Sequence, residues 1–272
     1  MKFTGMRDGR TVTVARLFAD QTLAPVAEVR EFYDDLAGSL DAAAALAGGS
    51  VDRASVVEVP AVPPAARVLC VGLNYRMHAD EAGMRVPEHP AIFGRWTASL
   101  ITSGVTAPVP AGEPGWDWEV ELAAVVGRPL KRVTPAQALA GVLGYAAFND
   151  LSARTHQLHS RLWTVGKNAD ASGPISEIVT ADETGDPGDG WRLTTVVNGE
   201  TMQDGSTADM VFGVGELLAY LSEVMTLNPG DVIATGTPDG VGFKRTPPRY
   251  AVPGDVVEVA VAGVGSVTTP IG

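Results

Sequence analysis

The chain has 272 residues, enough for one large domain or one domain with a small appendage. Twenty Lys and Arg stand against 32 Asp and Glu. The resulting formal charge of −12 repels phosphate backbones and anionic lipid, so neither nucleic acid nor a membrane is expected as a partner. A single cysteine, Cys70, excludes an internal disulfide and a cysteine-based metal site, and 45% hydrophobic with 19% charged residues describe a globular chain with a sizeable core.

Residues 1–10 hold no apolar run that would serve as a secretory signal. The longest apolar-and-glycine stretch, 138–148, is far short of the ~20 residues that span a bilayer. A soluble cytoplasmic protein is expected. Residues 1–62 read as a small separate α/β unit: Thr11-Val12-Thr13-Val14 alternates like a strand. Val26, Val29, Phe32, Tyr33 and Leu36 recur at helical spacing, so 25–46 reads as one or two helices ended by Gly48-Gly49. Pro60, Pro63 and Pro64 stiffen a linker over 59–66.

From Arg67 the texture changes to short apolar segments separated by Gly and Pro. Strands are expected over 68–72, 119–126, 144–148, 193–197, 232–235 and 256–261. Two helices interrupt them, 135–143 with Thr134 as N-cap and 214–221. Asn198-Gly199 between apolar stretches signals a hairpin. The order is β-rich without the strict strand–helix alternation of a doubly wound sheet.

Three constellations carry chemistry. In Trp118-Glu119-Val120-Glu121-Leu122, side chains two apart share a face, so Glu119 and Glu121 point the same way. On a buried strand such a pair needs a shared proton or a cation; on an edge strand it is a solvated acidic face, and the pair alone fits both. Asp150 follows the strand 144–148 and supplies a third carboxylate, or caps the next turn. Three oxygen ligands suit Mg²⁺ or Mn²⁺ better than zinc, with Arg154 and Lys167 at hand for an anionic substrate. In Asn74-Tyr75-Arg76-Met77-His78-Ala79-Asp80-Glu81, a helix would bring His78 and Glu81 together at i and i+3, either as an oriented base or as a cap beside an exposed acid. The remaining histidines, His89, His156 and His159, show no partner. Residues 234–242 form a Gly- and Thr-rich loop after a strand; its N–H groups suit a carboxylate, or it is a plain turn.

In order, Val71-Gly72-Leu73-Asn74-Tyr75…His78…Glu81, Trp118-Glu119-Val120-Glu121-Leu122, Asn149-Asp150…Arg154…Gln157, Gly166-Lys167, Asn198-Gly199-Glu200…Gln203 and Pro229-Gly230-Asp231…Thr235-Gly236-Thr237-Pro238 resemble the fumarylacetoacetate hydrolase family. The resemblance covers 67–272. It implies an α+β, β-rich fold, a mixed β-sandwich roll, behind the small N-terminal unit, and a homodimer. It also implies one divalent ion, Mg²⁺ or Mn²⁺, on Glu119, Glu121 and Asp150, and a 2-oxo acid substrate such as those of aromatic catabolism. The chain departs from the family at Thr155, at Asn168-Ala169 and at Arg95, where a Lys is common.

The expected activity is metal-dependent C–C hydrolysis of a 2,4-dioxo acid of the acylpyruvate or fumarylpyruvate type. The ion chelates the 2-oxo acid, His78 oriented by Glu81 activates water, and Lys167 helps to hold the pyruvate enolate. Arg154, Gln157 and Thr237 position substrate oxygens. A 2-oxo acid decarboxylase, tautomerase, isomerase or hydratase on the same site is the alternative. A non-catalytic small-molecule binding protein is the reading from another class.

Overall fold

Strand Val120–Val126 is the axis of the molecule, and all seven of its residues are buried. It lies between Val142–Asn149 and Val232–Ala234, antiparallel to both. A strand flanked on both sides and covered on both faces is central rather than an edge, apolar here except for Glu121, which disposes of the edge-strand reading of the Glu119–Glu121 pair. The computed structural model describes residues 1–77, Glu81 and 87–272.

Eleven strands form the main sheet. Its path runs Val51–Asp52, Thr22–Glu28, Thr11–Leu17, Lys2–Asp8, Ile178–Thr180, Val142–Asn149, Val120–Val126, Val232–Ala234, Val68–Gly72, Ala91–Arg95, with Val57–Val59 paired on Lys2–Asp8. A second, four-stranded antiparallel sheet is ordered Glu200–Ser206, Arg192–Val197, Val256–Val261, Gly265–Pro270. Val120, Leu122 and Ala124 pack with Leu193, Val257, Val259 and Val267 of that sheet in one hydrophobic cluster. Ala123 and Val125, pointing the other way, pack with Phe3, Phe32 and Tyr33. The β-rich α+β sandwich architecture expected from the sequence is present.

Residues 1–62 are hydrogen-bonded into the main sheet: Lys2 and Phe3 pair with Val179 and Ile178. The Tyr33 hydroxyl donates to the Ala61 carbonyl at 2.7 Å, pinning the proline-rich segment against the same cluster.

Several local expectations need correction. The helix expected to start at residue 25 starts at Val29; Thr22–Glu28 is a strand paired with Thr11–Leu17, and Pro25 sits beside its bulge, where a missing N–H costs little. Asp35 then separates two helices, Val29–Asp34 and Leu36–Ala45, by accepting the Gly38 N–H. The Thr134 cap is completed by Gln137 as a capping box, but the helix Pro135–Leu139 is shorter than expected because Val142 already belongs to the central strands. The Asn198-Gly199 hairpin is formed, both residues having positive φ (51° and 85°), as a type I′ turn requires.

Candidate active site

Where the central strands fray, the period-two alternation continues outward and puts Asp117, Glu119 and Glu121 on one side. All three are buried, as is Asp150 at the end of Val142–Asn149. The Asp150 N–H donates to the Glu119 carbonyl at 2.9 Å, which fixes the two strand ends against each other. Ligand oxygens of Glu119, Glu121 and Asp150 lie within 4.8 Å of one another. Asp150 is therefore not the cap of the following turn.

Three buried cations are interleaved with these carboxylates. Lys167 Nζ donates to Glu119 Oε2 at 2.7 Å and to Asp150 Oδ2 at 2.5 Å. Arg95 binds Asp150 Oδ1 through Nε at 3.0 Å and Nη2 at 2.5 Å, so the family departure at this position supplies a charge to the cluster itself. Arg154 donates from Nε to Asp117 at 2.7 Å, from Nη2 to Glu119 at 2.5 Å and from Nη1 to Gln157 Oε1 at 2.8 Å. Burial alone lowers the pKa of Lys167 and of Arg154, but the neighbouring carboxylates outweigh it and hold both above their ordinary values.

Four carboxylates thus face three cations. Among the described residues Glu121 makes no ion pair; its Oε2 accepts the Gly236 N–H at 2.9 Å. Burial, then Asp150, then Glu119, push its carboxyl well above the usual range. A dication would relieve that excess negative charge, and an all-oxygen donor set with no sulfur or imidazole is what Mg²⁺ or Mn²⁺ takes. The residues present fit such an ion.

The Gly- and Thr-rich loop does hold carboxylates with its N–H groups, and they are this chain's own. Gly236 serves Glu121, Gly240 serves Glu81 at 3.2 and 3.3 Å, and Gly242 and Phe243 serve Asp117 at 2.6 and 3.2 Å. Gly236 has φ +94°, and a Cβ there would come within 2.9 Å of Asn74 Cβ and the Val71 carbonyl. Asn74 clasps the loop, donating to the Thr235 and Phe212 carbonyls at 2.8 and 3.0 Å. Glu81 is half-buried. His78 lies outside the described residues.

Glu119, Glu121, Arg154, Gln157, Lys167 and Thr237 all line one cavity, whose remaining walls include Phe93, Trp163 and Phe243. Sequence reading missed Asp117, although it stands in the same alternation as Glu119 and Glu121. His156, expected to lack a partner, has one: its Nδ1 lies 2.5 Å from Glu113 Oε1, and Glu113 also accepts the N–H groups of Thr155 and His156. That carboxylate caps the helix Arg154–Leu158, whose own N-cap, Ala153, has no side-chain acceptor.

A buried, partly neutralised carboxylate cluster at the base of a cavity, at the open ends of a central sheet, defines an enzyme-type site for a small molecule. The profile described as Fumarylacetoacetate (FAA) hydrolase C-terminal matches residues 67–272, and the chain belongs to the fumarylacetoacetate hydrolase family. A Burkholderia ambifaria protein named no more finely than hydrolase is 42% identical over 242 residues, 85% of this chain and 86% of that one. The structure of 5-carboxymethyl-2-hydroxymuconate delta-isomerase from Mycobacterium smegmatis superimposes with TM-score 0.79 at 33% identity, covering 100% of this chain and 98% of the other. Fumarylpyruvate hydrolase from Pseudomonas aeruginosa, solved with Mn²⁺ and pyruvate, has TM-score 0.70 at 29% identity, covering 79% and 91%. No helix among the described residues is long and apolar enough to cross a membrane.

Proposed function

We propose that this chain is a divalent-metal-dependent hydrolase that splits a 2,4-dioxo acid, R–CO–CH₂–CO–COO⁻, with one water into R–COOH and pyruvate. The observation that carries this reading is the Glu119, Glu121 and Asp150 cluster, whose two glutamates line a cavity that also presents Lys167, Gln157 and Thr237. Glu119, Glu121 and Asp150 would hold the ion. Bound there, Mg²⁺ or Mn²⁺ supplies Lewis acidity and a template for the two oxygens of the 2-oxo acid end.

The chain's own groups do the rest. Arg154, locked by Asp117 and Glu119, takes Gln157 Oε1 and leaves the Gln157 amide N–H₂ to donate to the substrate carboxylate. Thr237 Oγ1 accepts from Gln203 at 2.9 Å, so its own hydroxyl hydrogen is directed elsewhere, toward a substrate oxygen. A His78 ring nitrogen takes a proton from water while Glu81, seated on the Gly240 N–H, accepts the other ring N–H. The hydroxide adds to the acyl carbonyl carbon. The bond from that carbon to the CH₂ then breaks, and its electron pair becomes the pyruvate enolate. Lys167 carries positive charge at the cavity wall where that negative charge develops. The proton on His78 returns to the CH₂ carbon.

The Mycobacterium smegmatis neighbour, an isomerase by name, favours a second reading, in which the same residues stabilise an enolate without adding water. Mg²⁺-loaded protein incubated with an acylpyruvate and, separately, with oxaloacetate tests the choice. The hydrolase reading expects pyruvate and a free carboxylic acid from the acylpyruvate. Decarboxylation of oxaloacetate with an intact acylpyruvate would overturn it.

A further inference from the structure

Beside the polar groups at the carboxylate cluster, the cavity is lined by Val71, Leu73, Phe93, Leu158, Trp163 and Phe243. The two lining cations are already committed, Lys167 to Glu119 and Asp150, and Arg154 to Asp117 and Glu119. Among the described residues no other cation lines it; Lys244 lies 4.9 Å from the Phe243 ring but is not part of the wall.

The apolar wall is built rather than incidental. Trp163 lies directly on the backbone of Gly72: a Cβ at that glycine would meet the indole at 2.3 Å. Phe93 holds the same indole edge-on, with centroids 5.4 Å apart and planes at 76°. Phe243, also a lining residue, covers the Arg154 guanidinium at 4.3 Å. Leu158, which lines the cavity, is 69% exposed, and Leu162 and Val165, exposed at 76% and 67%, follow it in the chain on either side of Trp163. Apolar side chains held open at a cavity mouth mark a surface that an apolar ligand covers.

We infer that the substrate carries an apolar tail, aromatic or branched alkyl, beyond its 2-oxo acid end, and not a second carboxylate. This rests on the 2-oxo acid reading above and narrows it. The carboxyl and keto oxygens go to the carboxylate cluster, and the tail lies against the Trp163, Phe93 and Phe243 rings. A distal carboxylate would be buried against aromatic faces, with Lys167 and Arg154, the two cations that line the cavity among the described residues, already paired.

Calorimetric titration of the Mg²⁺-loaded protein with acids it cannot split tests this. The probes are 2-oxo-4-phenylbutanoate, 2-oxobutanoate and 2-oxohexanedioate. The phenyl acid is expected to bind at least about tenfold tighter than either of the others. Trp163→Ala should shrink that ratio to about twofold. Leu158→Lys, at an exposed position that imposes no folding cost, should shift preference toward the diacid. Equal or tighter binding of the diacid, or a ratio that Trp163→Ala leaves unchanged, overturns the inference. Turnover assays of benzoylpyruvate and fumarylpyruvate separate the two claims. No cleavage of either, with the phenyl preference intact, removes the hydrolase and keeps the apolar tail. Faster cleavage of fumarylpyruvate keeps the hydrolase and removes the tail. If none of the 2-oxo acids binds, both fall.

Discussion

Asp117 ties two parts of the cavity together. Its carboxylate holds Arg154 Nε on one side and the N–H groups of Gly242 and Phe243 on the other, fully buried. Asparagine in its place would set a donor against donors and leave Arg154 short of a charge. Asp117→Asn is expected to destabilise the protein by about 3 kcal/mol, since it breaks a buried ion pair from one side. Denaturant unfolding reads that, and an unchanged midpoint would contradict it. Glu121 poses the opposite problem, a carboxylate without an ion pair among the described residues. Its pKa in the fold is raised, chiefly by burial and then by Asp150 and Glu119. The native state therefore binds that proton more tightly than the unfolded chain, and the stability gained is lost as pH rises above the ordinary carboxylate range. Metal-free protein in EDTA should melt at lower temperature as pH rises from weakly acidic to neutral. Glu121→Gln should flatten that dependence and also abolish stabilisation by added Mg²⁺. A variant still stabilised by Mg²⁺ would count against Glu121 as a ligand. The Glu119–Glu121 pair was legible because strand periodicity is local. Arg95 with Asp150 and Glu113 with His156 were not, because partners 55 and 43 positions apart leave no trace in spacing.

Elements whose signals are local were read well. The Asn198-Gly199 hairpin needs two positive φ angles, and the Thr134 cap needs one hydroxyl and a following Gln. Residues 25–28, the end of the strand Thr22–Glu28, carry a helical signal because Val26, Val29 and Phe32 do recur at helical spacing; pairing with Thr11–Leu17 overrides that preference, and no residue inside the segment announces its partner. Gly144 shows how a single position can decide whether elements join. It faces Thr180 in the pairing that carries Lys2–Asp8 onto the main sheet, and a Cβ there would meet the Val179 carbonyl at 2.2 Å. Gly144→Ala is expected to cost about 2 kcal/mol through forced backbone displacement. Thermal melting tests it, and a neutral effect would mean that the strands part without penalty.

At the scale of the molecule, the family match begins at residue 67, yet the hydrophobic cluster does not. Phe3, Phe32 and Tyr33 share it with Ala123, Val125, Phe148 and Val232. Residues 67–272 expressed alone are therefore expected to expose that face and aggregate, a result that gel filtration or light scattering would show; a monodisperse, cooperatively melting fragment would contradict it. The sandwich itself came from the order of motifs, since periodicity yields strands but not their arrangement in space. The central claim is that water is added across a C–C bond at the Glu119, Glu121 and Asp150 site. The direct test is mass spectrometry of the products formed from an acylpyruvate by Mg²⁺-loaded protein in ¹⁸O-water. The account predicts a released carboxylic acid carrying one solvent oxygen, and none in the presence of EDTA. An acylpyruvate recovered intact, isomerised or decarboxylated, with no labelled acid, would contradict it.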